Sequence, residues 1–348
     1  MTDDRQAASQ TYQTILRQAD DLRTMFAREQ QTVASTAGVL RTAKRIFTLG
    51  IGSSHHASQV GAWFLREAGA DAIAVHAFDA LSYPELYRIG TDDAVVIFGH
   101  TGNTGFTKQL LADLSGKGIP AIAIGSTEAA HPGARHVLRT TVPETAATYT
   151  SSHLCAMAIS AAVAVEMGAA HLAEALAAVP DQVAEILERR EEIWPVAETA
   201  LSKRIYAYGA GPNEITATEL MIKTREAAFH KIDGLAAEQF LHGPTVAFNA
   251  GDLAVAIHVD GPAADRVGAI ARVNQAMGGE IWTVGQAIDG VTGPVFVLPV
   301  VPEAISALLA VVPMQLLASR MSALKGTNPD AFRMDDPLYD AAFTRVGF

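Results

Sequence analysis

The sequence predicts an α/β protein made of two duplicated domains, each a parallel sheet flanked by helices. Three observations lead there. Short apolar, β-branched runs alternate with helix-period segments, the pattern of parallel strands covered by crossover helices. The pattern occurs twice. Lys44-Arg45-Ile46-Phe47 runs into Gly50-Ile51-Gly52, and 159 residues later Lys203-Arg204-Ile205-Tyr206 runs into Gly209-Ala210-Gly211. That spacing is too long for a solenoid repeat and suits a duplicated domain. Finally, 348 residues with 49% hydrophobic and 18% charged side chains are enough for two ordinary cores.

The elements follow in order. Residues 1–40 read as helix. The first domain, 41–178, opens with the strand into Gly50, a helix, and a strand over Ile73–Ala77. A strand over Ala94–Gly99, a helix over Lys108–Gly116 and a strand over Ile119–Gly125 follow. From Leu154 to about Ala200 two helices bridge the copies, with a break expected at Pro180. The second domain, 179–325, repeats the order: the strand into Gly209, a helix opening at Asn213, and a strand over Leu253–Val259. It continues with a helix over Ala263–Met277, a strand over Glu280–Val284 and a last helix over Glu303–Leu324. The tail, 326–348, carries Pro329 and Pro337 and reads as irregular, packed by Phe332, Leu338, Tyr339 and Phe343.

A net charge of −11 argues against nucleic acid or an anionic membrane as a partner, since both need a positive surface. One cysteine, Cys155, permits no internal disulfide and points to a reducing compartment, so a cytoplasmic location is expected. The start, MTDDRQAASQ, lacks the pattern of a secretory leader. The most membrane-like stretch, Leu154–Met167, is too short to span a bilayer.

Three loops of the first domain collect hydroxyls at helix starts or strand ends: Gly52-Ser53-Ser54-His55, Gly99-His100-Thr101-Gly102-Asn103-Thr104 and Tyr149-Thr150-Ser151-Ser152. Ligands of open parallel sheets bind at that edge. Hydroxyls with free backbone N–H groups suit a phosphate or sulfonate. Each loop alone also reads as ordinary N-capping; three together favour an anion cradle. The second copy has His258-Val259-Asp260-Gly261-Pro262 instead, where an acid would repel an anion. A dinucleotide fingerprint fails, because position 55 is His where a third Gly is needed.

On the helix opening at Asn213, Glu219, Lys223, Glu226 and His230 recur at spacings of four, three and four and share one stripe. His242-Gly243-Pro244 follows in a loop. Carboxylate, ammonium and imidazole together are the parts of metal-free proton transfer. Spacing alone also fits a solvated ion pair and a turn histidine. His55, His56 and His153 could line a pocket or gather a metal, but no ligand spacing with carboxylates supports a metal site.

These residues resemble the sugar isomerase (SIS) domain family. The likeness covers roughly residues 40–325, in the duplicated form of the isomerase half of glucosamine-6-phosphate synthase and of stand-alone phosphosugar and sulfosugar isomerases. It rests on G-x-G-S-S, the T-G-x-T loop, E-x-x-x-K-x-x-E and H-G-P. The resemblance implies two flavodoxin-like three-layer sandwiches and a cofactor-free aldose–ketose isomerase of a hexose with an anionic C6 group. Glu226 would be the base forming a cis-enediol, with Lys223 three residues before it. His242 would open the ring across a homodimer with shared sites. Ser53, Ser54, His100, Thr101, Asn103 and Thr104 would hold the anion, with Ser151, Ser152 and Glu219 near the sugar.

The departures from the family pattern point elsewhere in part. No glutaminase domain precedes the first copy, and no lysine follows Lys325, so amino transfer is not expected. Gly99-His100-Thr101 stands where the family has Ser-x-Ser, which makes a 6-sulfonate such as sulfoquinovose a candidate. Two rivals remain: a deglycase or deaminase of amino-sugar phosphates, and a sugar-phosphate sensor.

Overall fold

The structure is a computed structural model describing residues 2–102 and 105–345. It holds two five-stranded, all-parallel sheets. The first consists of β1 (Ile46–Gly50), β2 (Ala72–His76), β3 (Ala94–Phe98), β4 (Ala121–Gly125) and β5 (His136–Arg139), in the order β2-β1-β3-β4-β5. The second consists of β6 (Ile205–Gly209), β7 (Asp233–Ala236), β8 (Leu253–His258), β9 (Glu280–Gly285) and β10 (Val295–Val297), in the order β7-β6-β8-β9-β10. The duplication extends to register: Ile46 faces Ala94, and 159 residues on Ile205 faces Leu253. β1, β3, β4 and β6 are buried along their whole length, as central strands covered on both faces must be.

Both copies turn from first strand to first helix in one way. Gly52 (φ 58°, ψ −134°) and Gly211 (φ 55°, ψ −132°) adopt the same positive-φ conformation, which side chains disfavour. A Cβ on Gly50 would lie 2.3 Å from the Ser54 carbonyl oxygen; one on Gly209 would lie 2.4 Å from that of Asn213. An ion pair clips each copy at the opposite end, Arg45–Asp93 at 2.7 Å and Arg204–Asp252 at 3.1 Å.

One core joins the copies. The Ser151–Met167 and Glu303–Lys325 helices share it with the Gln18–Leu40 helix and the inner faces of both sheets, while each sheet's outer face has a smaller cluster of its own. Glu303–Lys325, not the 154–167 stretch, is the helix long and apolar enough to cross a membrane; its apolar window is wholly buried inside the protein. It packs along the Pro212–Ala228 helix, which in turn crosses the Ser53–Glu67 helix of the first copy.

Three expectations change. Pro180 does not break the chain: it sits inside the Ala173–Glu188 helix, and the interruption falls at Gly168 (φ 135°). The bridge also gains a third helix, Trp194–Ala200. The tail is partly ordered, with a Pro337–Thr344 helix whose Tyr339 and Phe343 meet 6.5 Å apart, but Leu338 is 74% exposed.

Candidate active site

A small cleft opens at the carboxyl ends of β1, β3 and β4, beside the point where strand order reverses. Ser53 and Ser54 begin the Ser53–Glu67 helix on one wall. Gly99 and His100 follow β3, and Tyr149, Ser152 and His153 come from the third loop and the helix it starts. Ser53 Oγ and His100 Nδ1 are buried without a hydrogen-bond partner among the described residues. Thr101 continues the His100 loop but does not line the cleft. Asn103 and Thr104 lie outside the described residues.

The two serines of the third loop part ways. Ser152 lines the cleft, and its backbone N–H donates to Glu144 Oε1 at 2.5 Å. Ser151 is fully buried and donates its hydroxyl to Asp21 Oδ2 at 2.6 Å, away from the cleft. Glu144 is the organiser that sequence reasoning missed. Its carboxylate also accepts the Thr150 N–H at 3.0 Å, and its own N–H donates to His100 Nε2 at 3.0 Å. Burial pushes its carboxyl above the ordinary range, opposed by hydrogen bonds from Ser152 and Thr150 and by the charge of Lys223. A signal existed: it is the only charged residue between Arg139 and Glu166.

The polar stripe of the Pro212–Ala228 helix faces inward. Glu219 is 1% exposed, and the structure surrounds it with His56 Nδ1 at 2.6 Å, Lys223 Nζ at 3.6 Å and His153 Nδ1 at 3.9 Å. Burial opposes its ionisation, yet His153, Lys223 and His56 together hold the carboxyl below the usual range. Glu219 therefore meets protein groups and does not line the cleft. Lys223 is buried too, and its ammonium donates to Glu226 Oε2 at 2.7 Å. Burial lowers the Lys223 pKa, but Glu226 and Glu219 outweigh it and keep the ammonium charged.

Glu226 has the opposite balance. Burial raises its carboxyl above the ordinary value more than Lys223 lowers it. Its charge is felt at Tyr149 on the cleft wall. His153 connects cleft and stripe: it lines the one, approaches Glu219 in the other, and donates Nδ1–H to the Ser53 carbonyl at 3.0 Å. Burial lowers the pKa of that imidazole, and the Glu219 carboxylate pulls it the other way. Among the described residues, no group of three or more His, Cys, Asp or Glu could hold a metal ion.

His242 is not brought into this cluster. Its side chain is 72% exposed, with Nε2 3.2 Å from Glu238 Oε1, and Glu238 is also held by Arg266. The chain after Lys325 passes the site. Thr327 Oγ1 donates to the Ala227 carbonyl at 2.7 Å, at the end of the Glu226 helix; Thr148 Oγ1 donates to the Pro329 carbonyl at 2.7 Å, in the third loop.

The family profile described as SIS domain matches residues 39–165, the stretch holding all three cleft loops. That stretch of the chain, the first copy, is similar to the SIS domain. The chain is 26% identical over 306 residues to a glutamine–fructose-6-phosphate aminotransferase (isomerizing) of Pyrococcus horikoshii, covering 84% of this chain and 51% of that protein. It thus spans about half the length of the curated relatives it matches. Its fold is shared by the C-terminal domain of glucosamine-fructose-6-phosphate aminotransferase from Francisella tularensis: TM-score 0.80, 16% identity, 93% of this chain and 98% of that one. Tagatose-6-phosphate ketose/aldose isomerase from Escherichia coli shares it as well: TM-score 0.78, 18% identity, 94% and 95% covered. Another solved structure of the same fold, from Silicibacter pomeroyi, is described as a putative phosphosugar isomerase: TM-score 0.80, 18% identity, 92% of this chain and 100% of that one.

Proposed function

We propose that the protein is a cofactor-free aldose–ketose isomerase of a hexose bearing a 6-phosphate or 6-sulfonate, acting through a cis-enediol. What carries this reading is Glu226: a largely buried carboxylate, lifted above its ordinary pKa and bonded to the buried Lys223 ammonium, whose charge reaches Tyr149 on the wall of the hydroxyl-lined cleft. Isomerisation moves one proton between C1 and C2 and another between O1 and O2. One carboxylate on one face of the enediol can shuttle the carbon proton, and a raised pKa suits it to both taking and returning it. Lys223 stabilises the negative charge that develops on the enediolate. The anionic group at the far end holds the sugar in place, so its binding energy orients C1–C2 over the base.

His242, exposed and aimed away from its own chain's cluster, fits a role across a homodimer, where it would protonate the ring oxygen of a sugar in the partner's cleft. The expected location is the cytoplasm. Glu226→Gln or loss of the dimer would each stop turnover.

Proton NMR in D2O tests the reading. Purified protein is mixed with glucose 6-phosphate, fructose 6-phosphate, sulfoquinovose or an amino-sugar phosphate. Deuterium entering at C2 is the expected outcome. Release of free amine would make the protein a deglycase or deaminase, and binding without exchange would make it a sensor.

A further inference from the structure

Isomerisation moves two protons, and Glu226 serves for one. While its carboxylate holds the carbon proton it cannot also move the proton between O1 and O2, so a second proton carrier is needed. Among the described residues, three titratable side chains line the cleft: His100, Tyr149 and His153. Each histidine already has one ring nitrogen engaged by backbone, His100 Nε2 by the Glu144 N–H and His153 Nδ1 by the Ser53 carbonyl, both at 3.0 Å. Burial lowers the pKa of both rings, that of His100 to about 4, and so disfavours the imidazolium either would pass through as a carrier.

Tyr149 is placed differently. The residues on either side of it are pinned. Thr148 Oγ1 donates to the Pro329 carbonyl at 2.7 Å, the Thr150 N–H donates to Glu144 Oε2 at 3.0 Å, and the Thr150 carbonyl accepts from Gln315 Nε2 at 3.2 Å. Its ring leans on His100 with centroids 5.0 Å apart. Its hydroxyl has no hydrogen bond to a described residue. A fixed, half-buried phenol on the cleft wall thus keeps both its donor and its acceptor capacity for a ligand. It also senses the charged stripe. Burial raises its pKa, the Glu144 and Glu226 carboxylates add to the rise, and the Lys223 ammonium opposes it. The cleft histidines answer to other charges, His100 to Arg17 and His153 chiefly to Glu219 and Lys223.

We propose that the Tyr149 hydroxyl is a further catalytic group, which relays the proton between O1 and O2 of the cis-enediol while Glu226 moves the proton between C1 and C2. This rests on the isomerase reading. Removal of the C2 proton by Glu226 leaves the negative charge on O1. The phenol gives its proton to O1 and takes the proton of O2, so one phenolic O–H bond breaks as another forms and the charge passes to O2. Glu226 then returns its proton to C1 and the C2 carbonyl forms. Nothing is consumed, and the phenol stays neutral throughout, which suits a place where burial and two carboxylates disfavour phenolate.

Tyr149→Phe removes the hydroxyl and keeps the ring against His100. Proton NMR in D2O with glucose 6-phosphate and with sulfoquinovose gives two rates from one sample: deuterium entering C2 of the aldose, and aldose becoming ketose. Glu226 suffices for the first; the second also needs the oxygen proton to move. In the variant, conversion should fall by about 10²-fold or more while exchange at C2 stays within about threefold, so the aldose is recovered labelled. Because the hydroxyl bonds no described residue, the melting temperature should hold within about 2 °C. Exchange and conversion falling together would make Tyr149 a brace for the site. Conversion at the original rate would make it a bystander, and a raised KM with unchanged kcat would make it a binding contact only. Loss of folding would make the hydroxyl structural. Each of these overturns the relay and leaves the isomerase reading standing. Absence of exchange with either sugar in the unaltered protein would remove that reading, and the relay with it.

Discussion

The two copies share a frame and differ in what they hang on it. Strand order, register, the positive-φ glycine turn and the Arg–Asp clip recur 159 residues apart. At equivalent positions of the first helix, however, Val60 and Phe64 in the first copy correspond to Glu219 and Lys223 in the second, and all four are buried. At the cleft end the first copy has Ser53, Ser54 and His100. The second has Pro212 and Asn213, and the Glu303 carboxylate lies about where a Cβ on Gly211 or Gly261 would reach, 3.0 Å and 2.7 Å away. Backbone geometry is thus conserved by glycines and apolar strands, while chemistry is set by a few point replacements. One copy becomes a donor-lined cradle and the other a charged stripe, and the crossing of their first helices joins the two.

The greatest effect should come from the stripe. Glu226→Gln keeps shape but cannot take a proton, so exchange at C2 should fall by about 10²–10⁴-fold while inorganic phosphate still binds the first copy. Equal exchange in the variant would remove Glu226 from the role. The pH profile sharpens the same point. Because burial raises the Glu226 pKa, the ionised base is absent at low pH and accumulates as pH rises through that value. Exchange should therefore rise with pH, with its acid limb above the ordinary carboxylate range near 4.5.

Lys223→Met comes next. It gives the second helix an apolar residue, as the first helix has at Phe64, but leaves Glu219 and Glu226 without their ammonium. Removing one partner of a buried charged set costs about 3–5 kcal/mol, which urea unfolding would register. If the variant still turns over, the acid limb should move further up, since the influence that lowers the Glu226 pKa is gone. An unchanged midpoint would mean that the stripe is solvated after all.

The duplication, its central strands and the shared stripe of Glu219, Lys223 and Glu226 were legible because each is written locally: apolar β-branched runs, GxG turns, and i, i+3, i+4 spacing. What the sequence hid depends on tertiary direction. The edge strands β5 and β7 carry polar residues such as His136, Arg139 and Asp233, and β10 is only three residues long, Val295–Val297. Pro180 looked like a break, but helix packing on both sides carries the chain through it. Spacing put Glu219 with Glu226 on one stripe; it could not tell that His56 and His153, more than sixty residues upstream, would close around Glu219, or that Lys223 would bond Glu226. Nor could adjacency tell Ser151 from Ser152: successive helical residues point about 100° apart, and only one of the two directions is the cleft.

That last pair gives a smaller, cleaner contrast. Ser152→Ala should weaken phosphate binding several-fold with little change in stability. Ser151→Ala removes the hydrogen bond to Asp21 and should cost about 1 kcal/mol of stability while leaving anion affinity alone. Calorimetry and urea unfolding on both variants would show the crossover, and identical behaviour would mean the third loop is not held as described.

The least effect is expected at Glu303, where the second copy departs from the first. Burial raises its carboxyl above the usual value, and the charges of Glu67 and Asp260 push the same way. A folded-state pKa above the unfolded one means that folding favours the protonated form, so stability is greatest below the ordinary carboxylate range and declines as pH rises through the raised value. Glu303→Gln removes that decline. Since the side chain is partly exposed, solvent screens much of the repulsion, and the melting temperature at pH 7 should rise by only about 1–2 °C, with no gain at pH 4. A fall in melting temperature at pH 7 would show that the carboxylate is instead bonded by the glycine turns around Gly211 and Gly261. The second copy would then be a cradle filled by its own side chain, no longer one that repels anions.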